Sequence, residues 1–287
     1  MSAPLPDLAL GVLAAAGLKA TVGLALALGV SRALTVASAS SRHAVLACGL
    51  ATGPALLLYL GATAGPELTL GLSTAAAVVT LAVWAAGVLV ALFPLCRGLV
   101  DLSHLAARGR WRDGVVWSPG VEVPMTFGRI ILMPERARAW PAPQRQAALL
   151  HERAHLERGD WWVHAAAWAS CALLWFHPLA WAVRRKLMLE AERAADDRVL
   201  LAGIQPSDYA QQLLGLVGRR GAGVAMGPTH TAVRVRAVLG APNRSGARWP
   251  AVSLCAVAAW ALAAPVSGAA LWASPAPLHC QPAGAPP

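Results

Sequence analysis

Five consecutive residues, His151-Glu152-Arg153-Ala154-His155, carry the most concentrated chemistry in the chain. The surrounding run QRQAALLHERAHLER is rich in helix formers, Pro143 suits its first turn and Gly159 suits its end. On a helix, residues four apart share a face, so the imidazoles of His151 and His155 can reach one metal ion. Glu152 is turned about 100° away, close enough to touch a water at that ion without displacing a histidine. This is how a helix offers two ligands to zinc and keeps a proton acceptor beside them. The chemistry it suits is hydrolysis of a peptide bond.

A hydrolytic zinc site needs a third protein ligand and a position left open for water. A second charged stretch, RRKLMLEAERAADDRVLLAG, reads as a helix stopping at Gly203. It holds Glu192 and Asp196, again four apart. Glu192 can supply the carboxylate ligand, and Asp196, one turn on, can hydrogen-bond a ligand or orient a histidine. Glu190 and Asp197 compete for the same roles. Glu190 is about 200° from Glu192 around the helix, so both cannot face one ion. For Glu190 and Asp197 the expectation is pairing with Arg184, Arg185, Arg193 and Arg198 as surface helix pairs.

The elements that must position these groups lie in an apolar chain. Of 287 residues, 57% are hydrophobic and 13% charged, and the mean hydropathy is +0.53. A water-facing fold cannot hide that much apolar surface, so the bilayer is the expected solvent. Four stretches are long enough to cross it: Leu8 to Val30, Ala44 to Ala64, Leu70 to Phe93 and Ala251 to Trp272. The N-terminus lacks the basic stretch of a cleavable leader, so the first span is expected to be retained. Arg32 and Arg42 follow span one, only Glu67 marks the loop after span two, and nearly all remaining arginines lie between spans three and four. The excess of Lys and Arg then places residues 94–250 in the cytosol and both termini outside. The formal charge of +10 reads as topology, and no direct nucleic-acid partner is expected, because no stacking aromatics are interleaved with the basic residues on a candidate binding face. Five cysteines without CxxC spacing exclude a cysteine metal site.

The expected organisation is therefore a three-span region at 1–93, a cytosolic domain at 94–250, a fourth span at 251–273 and a short external tail at 274–287. Within the domain, Val121 to Phe127 and Arg129 to Met133 read as strands. The second is a candidate edge that could hold a substrate extended by main-chain pairing. The apolar run Trp161 to Trp181 could be mistaken for a span. Were it one, Glu192 would lie across the membrane from His151 and His155. It is therefore expected to re-enter or pack as a hairpin broken at His177-Pro178, with Asp160 capping its start. His164 and His177 are expected to be structural. The basic stretch Arg219 to Arg248 is expected to anchor on anionic headgroups.

The runs LLHERAHLERGDWW, WFHPLAW, ERAADDRVLLAG and PSDYAQQLL, with TFGRIILMP upstream, resemble the BlaR/MecR-type antirepressor membrane metallopeptidases over about residues 120–217. The resemblance implies a mainly α membrane protein, with four transmembrane helices and a cytosolic gluzincin-type zinc peptidase domain, a small edge sheet plus the HExxH helix, between spans three and four. It puts the family's HExxH on His151, Glu152 and His155, and its ExxxD on Glu192 and Asp196. The cofactor implied is Zn2+, and the partner a cytosolic BlaI/MecI-like winged-helix repressor. Best-known members carry an external penicillin-binding sensor with a Ser-x-x-Lys motif. That motif is absent here and the expectation is that the chain lacks the sensor. Two other readings stay open: an HtpX-like membrane-protein quality-control peptidase, and a non-catalytic membrane receptor or scaffold.

Overall fold

The computed structural model describes residues 4–35, 37–217 and 228–240. The fourth span and the tail expected from the sequence lie outside these residues.

Among the described residues, three helices are long and apolar enough to cross a membrane: α1 (Leu5–Ala33), α2 (Ala39–Thr63) and α3 (Thr74–Ala107). Small residues let α1 and α2 approach closely. A Cβ on Gly49 would lie 2.4 Å from the Ala27 Cβ, so glycine is what permits that crossing. Ser38 caps α2, its hydroxyl accepting from the Ser41 N–H. At the opposite end of the bundle the buried Asp7 carboxylate accepts from the backbone N–H groups of Leu70, Gly71 and Leu72, which ties the start of α1 to the approach to α3. α3 is the peripheral helix, with Ala77 its one buried residue. At 34 residues it runs for about 51 Å, further than the roughly 30 Å of hydrocarbon, so one end projects out of the membrane.

That end feeds a four-stranded sheet in the order β1-β2-β4-β3, formed by β1 (Arg110–Arg112), β2 (Val115–Ser118), β3 (Met125–Phe127) and β4 (Ile130–Pro134). β1 and β2 are antiparallel around Asp113-Gly114, both at positive φ as a two-residue hairpin turn requires. β2 pairs with β4 in parallel, and β3 closes antiparallel on the other side of β4. The strand expected at the edge, Arg129 to Met133, is thus an interior strand, with Leu132 and Met133 fully buried. The edge on the site's side is β3. Strand order depends on a parallel pairing that hairpin logic does not anticipate.

Helix α4 (Ala142–Arg158) carries the HExxH residues. Gly159, at φ 66°, ends it with its N–H on the carbonyls of His155 and Leu156, and α5 (Asp160–Leu173) starts at once. Asp160 is therefore the first residue inside α5 and makes no cap, because its carboxylate is turned toward His155 and Arg158. α5 has 14 residues, about 21 Å, too short to cross alone. The chain turns at 174–177 and returns as α6 (Pro178–Leu201). Cys171, Leu174, Val183 and Leu187 of this hairpin pack into one apolar core with Ala16, Ala20 and Leu24 of α1 and Leu46, Leu50 and Leu56 of α2. Two further helices, α7 (Pro206–Val217) and α8 (Pro228–Leu239), cover α4 and α6, with Tyr209, Leu213 and Val238 meeting Ala147 and Val199.

Candidate metal centre

The groups singled out in the sequence come from two helices that face each other. α4 presents His151 and His155, and α6 presents Glu192. One ligand atom from each lies within 4.8 Å of the other two. The separations are 3.2 Å between the two histidine Nε2 atoms, 3.5 Å from His151 Nε2 to Glu192 Oε2, and 3.7 Å from His155 Nε2 to Glu192 Oε1. Ligands at the usual distances around a tetrahedral zinc stand about 3.3 Å apart. The triangle therefore fits such an ion.

The rear of each imidazole supports the same fit. His155 Nδ1 meets Asp160 Oδ2 at 2.6 Å. His151 Nδ1 lies 3.0 Å from the Tyr209 hydroxyl, which donates to Asp196 Oδ1 at 2.8 Å. With Nδ1 engaged from behind, both rings aim Nε2 at a common point, the arrangement in which a carboxylate fixes the tautomer of a metal-ligating histidine. Asp196 lies where the sequence suggested, one turn beyond Glu192 and beside His151.

Glu190 points elsewhere. It is fully buried and holds Arg42 of α2 at 2.9 Å, Lys186 at 2.7 Å and Arg193 at 3.3 Å. The expectation of a surface pair needs correction here: Glu190 is the buried tie between α6 and a membrane helix. His177 Nε2 reaches the Thr21 hydroxyl at 2.9 Å, binding the hairpin turn to α1. His164 faces the His43 ring edge-on behind Asp160.

Electrostatics hold the acids ionised. Burial raises the Asp160 pKa, but the His155 hydrogen bond and the Arg158 charge outweigh it and bring it down to about 2. Burial opposes ionisation of Glu192 and Asp196 too, and the Arg234 guanidinium overcomes it, holding both below the usual carboxylate range. For His151, burial disfavours the charged ring, yet hydrogen bonds to Asp196 and Glu192 push its pKa up to about 9.

Four contributors escaped sequence reasoning. Arg234 of α8 places Nη1 2.7 Å from Glu192 Oε2, while Nε and Nη2 grip both oxygens of Asp196 at 2.8 and 2.6 Å. By sequence it belongs to the basic stretch Arg219 to Arg248, and nothing local in AVRVRAVL marks it out; it is 3% exposed. The sequence PSDYAQQLL gives Tyr209 no role by itself, and Asp160 reads as a helix cap. The fourth is Thr126 on the edge strand β3, whose hydroxyl lies 2.8 Å from Glu152 Oε2.

These groups line one cavity of about 250 Å³, walled by Met125 and Thr126 on the strand side and by Trp140, Trp161, Leu213 and Arg234 elsewhere. A metal held at His151, His155 and Glu192 would face this space, with the Glu152 carboxylate beside it. A family model described as BlaR1 peptidase M56 matches residues 19–236. No curated protein matches the chain.

Proposed function

The chain belongs to the BlaR1 M56 peptidase family, and on that premise we propose that it is a zinc metalloendopeptidase embedded in the cell membrane. The observation that carries the reading is the convergence of both Nε2 atoms and the Glu192 carboxylate on one point, with both Nδ1 atoms engaged from behind. Metal chemistry of this kind needs a closed set of oriented ligands and a proton acceptor beside an open position.

In this reading His151, His155 and Glu192 hold the ion, and Asp160, Tyr209 and Asp196 fix the imidazoles. Zinc, when bound there, supplies Lewis acidity toward water and a peptide carbonyl. Glu152 takes a proton from the attacking water and returns it to the leaving amine nitrogen as the C–N bond breaks. The edge of β3, which no other described strand covers, can align an extended substrate by main-chain pairing, with side chains entering the cavity. The requirement for an extended chain favours an unfolded or flexible protein segment over a small molecule.

The substrate we propose is a cytosolic protein, in particular a BlaI/MecI-like winged-helix repressor, which makes the chain an antirepressor in transcriptional signalling. The family match supports this over the quality-control alternative. A cytosolic site is supported by Arg42, which belongs to the connection expected in the cytosol and pairs with Glu190 two residues before Glu192. Both termini would then lie outside. Proteomics of the cytosol with the wild type and with Glu152→Gln tests the whole reading. A repressor fragment present only with the wild type supports it, whereas identical fragment sets reject it.

A further inference from the structure

Glu152 is a long side chain with three torsions, and a proton acceptor works only where one oxygen is held toward the attacking water. What holds it comes from the strand, across the cavity wall. The Thr126 hydroxyl lies 2.8 Å from Glu152 Oε2 and 3.0 Å from the Glu152 carbonyl oxygen. A hydroxyl has one proton to donate. The carbonyl, in the interior of α4, already accepts from the N–H four residues on. The carboxylate is the unserved and charged acceptor, and hydrogen bonds to charged acceptors are the stronger kind.

We propose that Thr126 is a positioning residue for the reaction: its hydroxyl occupies Glu152 Oε2 and leaves Oε1 as the working oxygen. The inference rests on the peptidase reading and deepens it. The proton balance follows. Oε1 takes the proton from water as the C–O bond forms, and gives it to the amine nitrogen as the C–N bond breaks. Oε2 keeps the Thr126 hydrogen bond throughout, so the carboxylate does not rotate between the two transfers.

The location of Thr126 adds a second consequence. It is the central residue of β3, paired with Ile131 of β4 on one side, and among the described residues no strand pairs with its other edge. An extended substrate that pairs with this edge lies against the strand that aims the base. Met125 and Phe127, the alternate residues, pack with Val116, Val121 and Leu132, while Met125 also borders the cavity and the Phe127 ring meets Trp161 edge-on. β3 thus gives apolar side chains to the sheet's core and one hydroxyl to the site.

The test uses the full-length zinc-loaded protein in detergent and a mixture of internally quenched peptides randomised at each position, followed by kinetics on the peptide cut best. Thr126→Val keeps the shape and removes the hydroxyl. It should lower kcat about 10-fold, with KM and zinc content unchanged, because positioning of the base matters in the transition state and not in binding. Thr126→Ser should return kcat to within about twofold of wild type, since it restores the donor. Wild-type kcat in Thr126→Val overturns the proposal, as does failure of Thr126→Ser to recover, which would assign the loss to packing. Glu152→Gln separates the levels. If that variant keeps its activity, or the wild type cuts no peptide, the peptidase reading fails and the proposal with it. If Glu152→Gln is inactive while Thr126→Val is normal, the tether alone fails.

Discussion

At the scale of single residues, the centre divides into candidate ligands that the helix repeat announces and supports that it cannot. His151, His155, Glu192 and Asp196 are each one turn from a partner, so a linear reading finds them. Asp160, Tyr209, Thr126 and Arg234 act through contacts across 5 to 58 residues of sequence, and no local pattern marks their roles. Two outcomes separate ligand from support. Glu192→Ala should lose most of the bound zinc, measured by elemental analysis of purified protein. Glu190→Ala should keep its zinc but unfold more easily in thermal melts, by roughly 3–5 kcal/mol, because Arg42, Lys186 and Arg193 would lose their buried partner. Tyr209→Phe should weaken zinc binding about 10-fold, because the hydroxyl that links His151 to Asp196 is gone. The site also predicts a pH dependence. The His151 pKa is raised from 6.5 to about 9, so its favourable pairing in the folded state is complete below 6.5 and is lost as pH rises through 9. A metal needs the neutral ring and must displace that proton. Zinc affinity should therefore climb by up to about tenfold per pH unit between about pH 7 and pH 9, then level off, in competition titrations with a chelator. A flat profile would show that His151 is not protonated in that range.

At the scale of elements, the first three spans and the HExxH helix were legible because hydropathy and glycine stop signals are local. α1, α2 and α3 overlap the first three apolar stretches, and α4 ends at the glycine expected of it. Gly159 sits at φ 66°, where a side chain is strained, so Gly159→Ala should cost about 1 kcal/mol in thermal unfolding and disturb the α4–α5 junction that delivers Asp160 to His155. The sheet was read less well. Its first hairpin was missed although Asp113-Gly114 is a strong turn signal, because the flanking RWR and VVWS runs are short and RWR is basic and exposed. Which strand forms the edge was misread because spatial order in a mixed sheet is decided by long-range pairing of β2 with β4.

For the whole molecule, the decisive relation is that both helices carrying the candidate ligands sit at one end of the helical bundle. Reporters fused after Ala107 and after Gly203 should therefore read the same compartment, and one at Gly71 the opposite one. Opposite readings for Ala107 and Gly203 would mean that the 160–201 hairpin crosses the membrane, which the shared site forbids. That relation was legible only by combining a motif with topology; hydropathy alone would have made Trp161 to Trp181 another span. The same relation bears on how the chain is made. Arg42 leaves the ribosome 148 residues before Glu190, and the two histidines precede Glu192 by 41 and 37 positions. Until α6 is synthesised the Arg42 guanidinium has only its local acceptors, the Leu34 and Ala37 carbonyls, and lacks its carboxylate partner; such long-range contacts form late. No shorter nascent chain holds the three candidate ligands, so under the proposed reading an ion captured by His151, His155 and Glu192 serves as a molecular receipt that the 160–201 hairpin has docked on α1 and α2.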